Sequence, residues 1–203
     1  MRIIAGTWRG REILGPIGTT TRPVLDRVKG AIFDILGSRL GLPGQLPPIA
    51  VLDLFCGTGS MGLEALSRGA RRCHFVDRDR SAVKLLRQNI DTLGARECAF
   101  VSSASGKTVD LALNGPYDLA FVDPPYPLSR DVSAAGIVPI IFNRLRETGV
   151  VTPEIIIVCR HEDALIMPNQ MAGFATTNRR TFNKMAVTFF GNVKTPDVSE
   201  GAT

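Results

Sequence analysis

Histidine is almost missing from this chain of 203 residues, which holds two, and its four cysteines (Cys56, Cys73, Cys98 and Cys159) stand far apart with no C-x-x-C pair. A zinc centre built on such ligands is not expected, no metal is assigned, and reduced thiols of a cytoplasmic protein are the expected state. No run of about 18 apolar residues occurs, so neither a membrane-spanning helix nor a membrane partner is expected. Met1 to Gly6 lacks the apolar core of a secretion signal. Internal repeats and low-complexity tracts are absent too.

What is there is an ordinary soluble composition, 44% hydrophobic and 21% charged, in a length that suits one domain or one domain with a small extension. The net charge of +5 is unevenly placed. Residues 1–40 hold seven basic side chains (Arg2, Arg9, Arg11, Arg22, Arg27, Lys29 and Arg39) against Glu12, Asp26 and Asp34. A basic segment of this kind points to phosphate contacts with nucleic acid; a solvated arm without a ligand is the plainer alternative. Residues 1–40 are therefore read as a basic N-terminal extension, 41–193 as the main domain and 194–203 as a disordered tail.

Residues 2–14 read as a short hairpin turning at Gly6 and Gly10, with Trp8 exposed or packed beneath it. Residues 15–25 read as loop. A helix follows, capped by Asp26, with Val28, Ile32, Ile35 and Leu36 on one face. From Ile49 strands and helices alternate. Strands are expected over Ile49–Cys56, Cys73–Asp77, Cys98–Ser102, Tyr117–Asp123, Glu154–Arg160 and Met185–Phe190. Helices are expected over Ser60–Arg68, Ser81–Leu93 and Asp131–Arg146, the last kinked or divided by Pro139. Such alternation predicts a doubly wound α/β sheet.

Two turns carry chemistry. The first, Asp53-Leu54-Phe55-Cys56-Gly57-Thr58-Gly59-Ser60-Met61-Gly62, joins a strand to a helix. Gly57 would allow the tight turn, Gly59 a ligand's approach to the backbone, and Gly62 close helix–strand packing. Asp77, 18 residues beyond Gly59, ends the second strand where an acid can bind ribose hydroxyls, while Asp79 suits the cap of the next helix. Asp53 would repel a pyrophosphate but suits the ammonium of a methionine moiety, which favours S-adenosylmethionine over a dinucleotide. Gly106-Lys107-Thr108 ends like a phosphate-binding P-loop, but its earlier glycine is replaced by Val101.

The second turn is Asp123-Pro124-Pro125-Tyr126, at the end of an apolar strand. Paired prolines fix φ and remove two N–H groups, which makes a stiff turn whose carbonyls can face outward. The Asp123 carboxylate and the Pro124 carbonyl can accept the two hydrogens of an exocyclic amine while Tyr126 stacks on the base. The plain alternative is a proline-rich loop. Methylation of C5 of cytosine would need a cysteine nucleophile, ordinarily beside proline, and there is no Pro-Cys pair. A nicotinamide oxidoreductase would leave this turn unexplained; an RNA-binding protein without catalysis is a further alternative.

These residues resemble the RsmD-type family of bacterial small-subunit rRNA guanine-N2 methyltransferases. The likeness runs from Arg2-Ile3-Ile4-Ala5-Gly6-Thr7-Trp8-Arg9-Gly10-Arg11, through Arg22-Pro23, Asp26-Arg27-Val28 and Phe33, to both turns and Gly62–Gly69. It implies a Rossmann-like class I methyltransferase with a mostly parallel, seven-stranded sheet. It also implies S-adenosylmethionine as cofactor, and as acceptor guanine N2 in ribosomal RNA, free or in the small subunit; other exocyclic amines, adenine N6 or cytosine N4, stay open. A monomer is implied as well. Asp123, Pro124, Pro125 and Tyr126 are then the catalytic residues. Asp53, Phe55, Gly57, Thr58, Gly59, Asp77, Arg78, Ser103, Ala104 and Asp123 hold the cofactor, and Arg9, Arg11, Arg22 and Arg27 the RNA. The chain departs from the family pattern at Val24, Leu25 and Gly30, at Ser102-Ser103-Ala104 and at Arg180-Thr181-Phe182-Asn183.

Overall fold

A computed structural model describes residues 1–15 and 26–193. Residues 16–25, which hold Arg22, Val24 and Leu25 and most of the expected loop, and residues 194–203, the expected tail, lie outside the described residues.

The strands are β1 (Ala50–Leu54), β2 (Arg72–Asp77), β3 (Ala99–Ser103), β4 (Tyr117–Val122), β5 (Val151–Glu162), β6 (Gln170–Met171), β7 (Phe174–Phe182) and β8 (Met185–Asn192). They form one sheet in the order β3-β2-β1-β4-β5-β8-β7-β6. β1 to β5 run parallel, and β8, β7 and β6 close the far side antiparallel. The class I architecture is the expected one. Among the described residues the two-residue β6 at the edge makes an eighth strand where seven were expected.

β1 is buried along its whole length, as a parallel strand covered on both faces must be. One face of the sheet packs against α1 (Asp26–Arg39), α2 (Ser60–Ser67) and α3 (Arg80–Leu93), through Phe33, Leu36, Leu63, Leu86 and Phe121. The other packs against α5 (Ile137–Glu147), through Ile141, Phe142 and Leu145. The chain leaves β3 at one edge and re-enters beside β1 as β4. That reversal opens a crevice at the C-terminal ends of β1 and β4, where open α/β sheets bind their ligands.

Three local expectations differ from the structure. Residues 131–136 are not helical, and α5 begins at Ile137, which puts Pro139 in the first turn. There its missing N–H costs nothing and no kink results. β7 went unpredicted because eight of its nine residues are only half-buried or exposed, so its apolar signal is faint. A two-residue turn, Asn183-Lys184, joins it to β8, with Asn183 at φ 56°. Asparagine tolerates that left-handed position better than any other residue except glycine.

The N-terminal hairpin is loose, with one bridge between Arg2 and Glu12, and it shares its core with the sheet. Ile3 and Ile13 join Val28 and Ile32 of α1 in the cluster over β1, and Trp8 packs against it half-buried. Gly6 sits so close to α2 that an added Cβ would overlap the Ser67 carbonyl. Glu64 of α2, fully buried, binds the hairpin down. It accepts from Ile4 N (2.9 Å) and Ala5 N (3.0 Å) and pairs with Lys29 Nζ (3.1 Å) and Arg68 Nε (2.9 Å).

Candidate functional site

The loop after β1 is shaped by three residues in left-handed conformation, Phe55 (φ 61°), Gly57 (φ 56°) and Gly59 (φ 89°). Gly57 makes the tight turn expected of it, but Gly59 does not have the open backbone expected of it. A Cβ on Gly59 would overlap Leu86 of α3, so that glycine serves packing, whereas none of the described residues lies within 4 Å of a Cβ on Gly57. Gly57 is thus the open side of the loop, where a ligand can reach the backbone. Gly62 has the expected duty, since a Cβ there would overlap Phe75 of β2.

Two acids hold the loop from below. Asp77 Oδ2 accepts from Gly57 N (2.8 Å) and Oδ1 from Asp79 N (2.9 Å). Asp79 caps α3 through Ser81 N (2.9 Å), as expected. Asp53 is 2% exposed and accepts from Gly62 N at 2.9 Å. Burial pushes its carboxyl up to about 8; the Gly62 N–H opposes this, and the nearby charges of Asp123 and Asp77 add to it. Asp53 therefore anchors the start of α2 instead of standing in the open as an anion. Thr58 is buried, and its carbonyl accepts from Asn89 Nδ2 of α3 (2.9 Å).

Beside this loop lies a cavity of about 430 Å³. Phe55, Asp77, Arg78 and Ala104 line it, whereas Ser103 points to solvent and does not. Sequence reasoning missed the other walls: Ser105-Gly106-Lys107 after β3, and Pro127, Leu128, Asp131 and Ile137 after β4. Lys107, set aside with the incomplete P-loop, is part of this wall. Its signal was position alone, just past the end of a strand on the ligand side of the sheet.

The Asp123–Tyr126 corner adjoins the same crevice. Asp123 N donates to Leu54 O of β1 (3.3 Å), so the corner and the glycine loop are neighbours. Pro124 is buried, and no donor among the described residues reaches its carbonyl. The Pro125 carbonyl is engaged: it accepts from Leu128 N (2.8 Å) and Ser129 N (3.2 Å) and so starts the short helix α4 (Tyr126–Ser129). Tyr126 opens that helix half-buried. Asp123 has a partner that was not foreseen, Arg160 of β5, whose Nε donates to Oδ1 at 2.6 Å. Both side chains are mostly buried, 17% and 18% exposed. Burial draws the Arg160 guanidinium down, but the Asp123 charge and hydrogen bond carry it upward overall. Oδ2 of Asp123 meets no donor among the described residues.

Of the four arginines expected to meet RNA, Arg9 lies exposed in the hairpin turn and Arg27 exposed in the first turn of α1. Arg11 is tethered, its Nη2 donating to Thr92 O of α3 (2.6 Å). Arg22 lies outside the described residues. Among the described residues no group of three or more His, Cys, Asp or Glu is arranged to hold a metal, and no helix is long and apolar enough to cross a membrane.

A family model described as conserved hypothetical protein 95 matches residues 1–191. The ribosomal RNA small subunit methyltransferase D of Escherichia coli K12 is 31% identical over 191 residues, covering 92% of this chain and 87% of its own length. The protein of the same name from Haemophilus influenzae is 35% identical over 129 residues, 62% of this chain and 64% of its own. Among solved structures, yhhF from Escherichia coli superposes with a TM-score of 0.78 at 30% identity, covering 95% of this chain and 97% of that one.

Proposed function

This chain belongs to the conserved hypothetical protein 95 family, the RsmD family, and from that premise we propose that it methylates small-subunit ribosomal RNA, at the exocyclic N2 of a guanine, with S-adenosylmethionine as donor. Family and fold make it a methyltransferase. The observation that carries the finer reading is the acceptor pair at the Asp123 corner. Asp123 Oδ2 and the Pro124 carbonyl face no protein donor among the described residues, beside a glycine loop whose Gly57 is open on its ligand side.

The residues present fit the cofactor. A Gly57 that none of the described residues covers, the Asp77 carboxylate and the cavity walled by Phe55, Arg78 and Ala104 suit a nucleoside without phosphates. When bound, S-adenosylmethionine supplies a methyl group on a positively charged sulfur. Asp123 and Pro124 accept the two amine hydrogens and hold the nitrogen lone pair in line, and Asp123 stabilises the positive charge that grows there. Tyr126 orients the base by stacking. Arg160 holds Asp123 in one rotamer and keeps Oδ1 occupied, so that Oδ2 alone faces the amine. The extra proton leaves to Asp123 or to water, because an alkylated, cationic amine is strongly acidic. Residues 1–40 act as the RNA-binding arm on a catalytic domain of 41–193, with the two packed as one body.

Radiolabelled S-adenosylmethionine offered with small-subunit particles, free rRNA and DNA, followed by mapping of the labelled base, tests this reading. Label on guanine N2 of the rRNA is expected; label on adenine or cytosine would replace the acceptor. Asp123→Ala should abolish transfer while cofactor affinity stays within a few-fold, and full transfer by that variant would remove the mechanism.

A further inference from the structure

We propose that the tip of the β7–β8 hairpin is a second docking surface for the RNA, with Arg180 and Lys184 meeting the phosphates of the strand that flanks the target base. This inference rests on the reading of the chain as an rRNA methyltransferase. It starts from the register of the sheet. Arg160 of β5 pairs with Val187 of β8, and Val187 pairs with Arg180 of β7. Residues paired in this way share a face, so Arg180 continues the line that begins with the Asp123–Arg160 ion pair. Three inter-strand spacings of about 4.8 Å place its strand roughly 14 Å from that of Asp123. The line runs along the ends of the parallel strands, the edge on which the crevice opens.

Charge on this hairpin is not self-compensated. Of the acids near it, Glu162 is held by Arg130 at 2.7 Å and Asp163 by Arg179 at 2.8 Å. Arg180 and Lys184 are exposed and have no acidic partner among the described residues. The hairpin is nevertheless firmly placed. Phe182 and Met185, paired across the turn, pack half-buried against the core beneath α1. Arg39 at the far end of α1 donates to Thr177 of β7 (2.8 Å), while near its start Lys29 reaches Ser60 at the head of α2 (3.5 Å), so the helix crosses the sheet with its start beside the glycine loop. Phe33, midway along the helix, packs on Phe121 of β4, so the exposed Arg27 at its start and the hairpin tip lie to either side of the strand that leads to Asp123. Such an arrangement suits a polyanionic strand whose one base enters the crevice between them. Free phosphate or a small nucleotide would engage one side only, and a rigid pair of cationic flanks gains most from an extended strand.

The test compares the wild-type protein with Arg180→Gln/Lys184→Gln, with Arg180→Glu/Lys184→Glu, and with a charge reversal elsewhere, Lys84→Glu/Arg87→Glu on the exposed face of α3. Affinity for a labelled small-subunit rRNA transcript and for small-subunit particles is measured by filter binding across a salt series. Methyl transfer, cofactor affinity and melting temperature are measured in parallel. The hairpin reversal should weaken RNA binding tenfold or more, beyond any loss in the α3 control. The neutral hairpin variant should flatten the salt slope by about 1.4, two contacts at about 0.7 each. Cofactor affinity and melting temperature should not move. Equal losses in the hairpin and α3 variants, or none in either while the wild type still transfers methyl groups, would overturn the docking surface. A wild type that transfers no methyl group to either RNA would instead overturn the underlying reading.

Discussion

Asp123 is legible in the chain because its chemistry is local: a carboxylate followed by two prolines is stiff wherever it folds. Arg160 is not, because its meaning comes from a strand 37 residues away that happens to lie alongside. Replacing it with Gln leaves Asp123 mostly buried beside a neutral amide. Turnover should fall at least about tenfold, in line with the loss of a charge-assisted hydrogen bond of about 1.5–3 kcal/mol, with cofactor affinity unchanged; Lys should rescue it in part. Steady-state kinetics on the labelled substrate checks both. Asp53 gives a pH prediction whose sign follows from burial. Its folded value of about 8 lies above the ordinary 3.8, so the folded state holds a proton that the unfolded chain releases. Its contribution to stability is complete below about pH 4 and is lost as pH rises to about 8. Urea unfolding between pH 5 and 8 should show the wild type weakening along that window and Asp53→Asn weakening less.

At the scale of elements, helices with an apolar stripe and strands buried on both faces were readable, and β7 and the start of α5 were not. β7 is half exposed and takes its strand identity from pairing with β8, which no local pattern records. The helix expected from Asp131 starts only at Ile137, because a proline in the first turn is a start signal as much as a kink. The docking of the N-terminal hairpin on α2 depends on Glu64, buried among two cations and two backbone N–H groups. Glu64→Ala strands all four. A loss of about 3–5 kcal/mol is expected in urea or thermal unfolding, together with increased proteolysis of residues 1–15. Gly62→Ala should also destabilise, by about 1–3 kcal/mol, because its Cβ would overlap Phe75.

For the molecule as a whole, the +5 charge implies that RNA binding weakens steeply with salt. Neutralising Arg9 and Arg27 together should flatten that dependence, whereas Arg11→Gln should do so less, since Arg11 is already tethered to Thr92; filter binding from low to moderate salt separates the three. The residues by themselves determined the alternation that makes an α/β sheet, the glycine turn and the stiff Asp-Pro-Pro corner, because each of these is written in a few consecutive side chains whose conformational limits hold in any surroundings. Only the tertiary structure decided that Gly57 and not Gly59 is the open side of the loop, that Asp53 is buried under it, that Arg160 grips Asp123 and that the β7–β8 tip lies at the same end of the sheet as the crevice. Those facts come from which strands lie side by side and what they exclude from water, and a chain read one residue at a time carries neither.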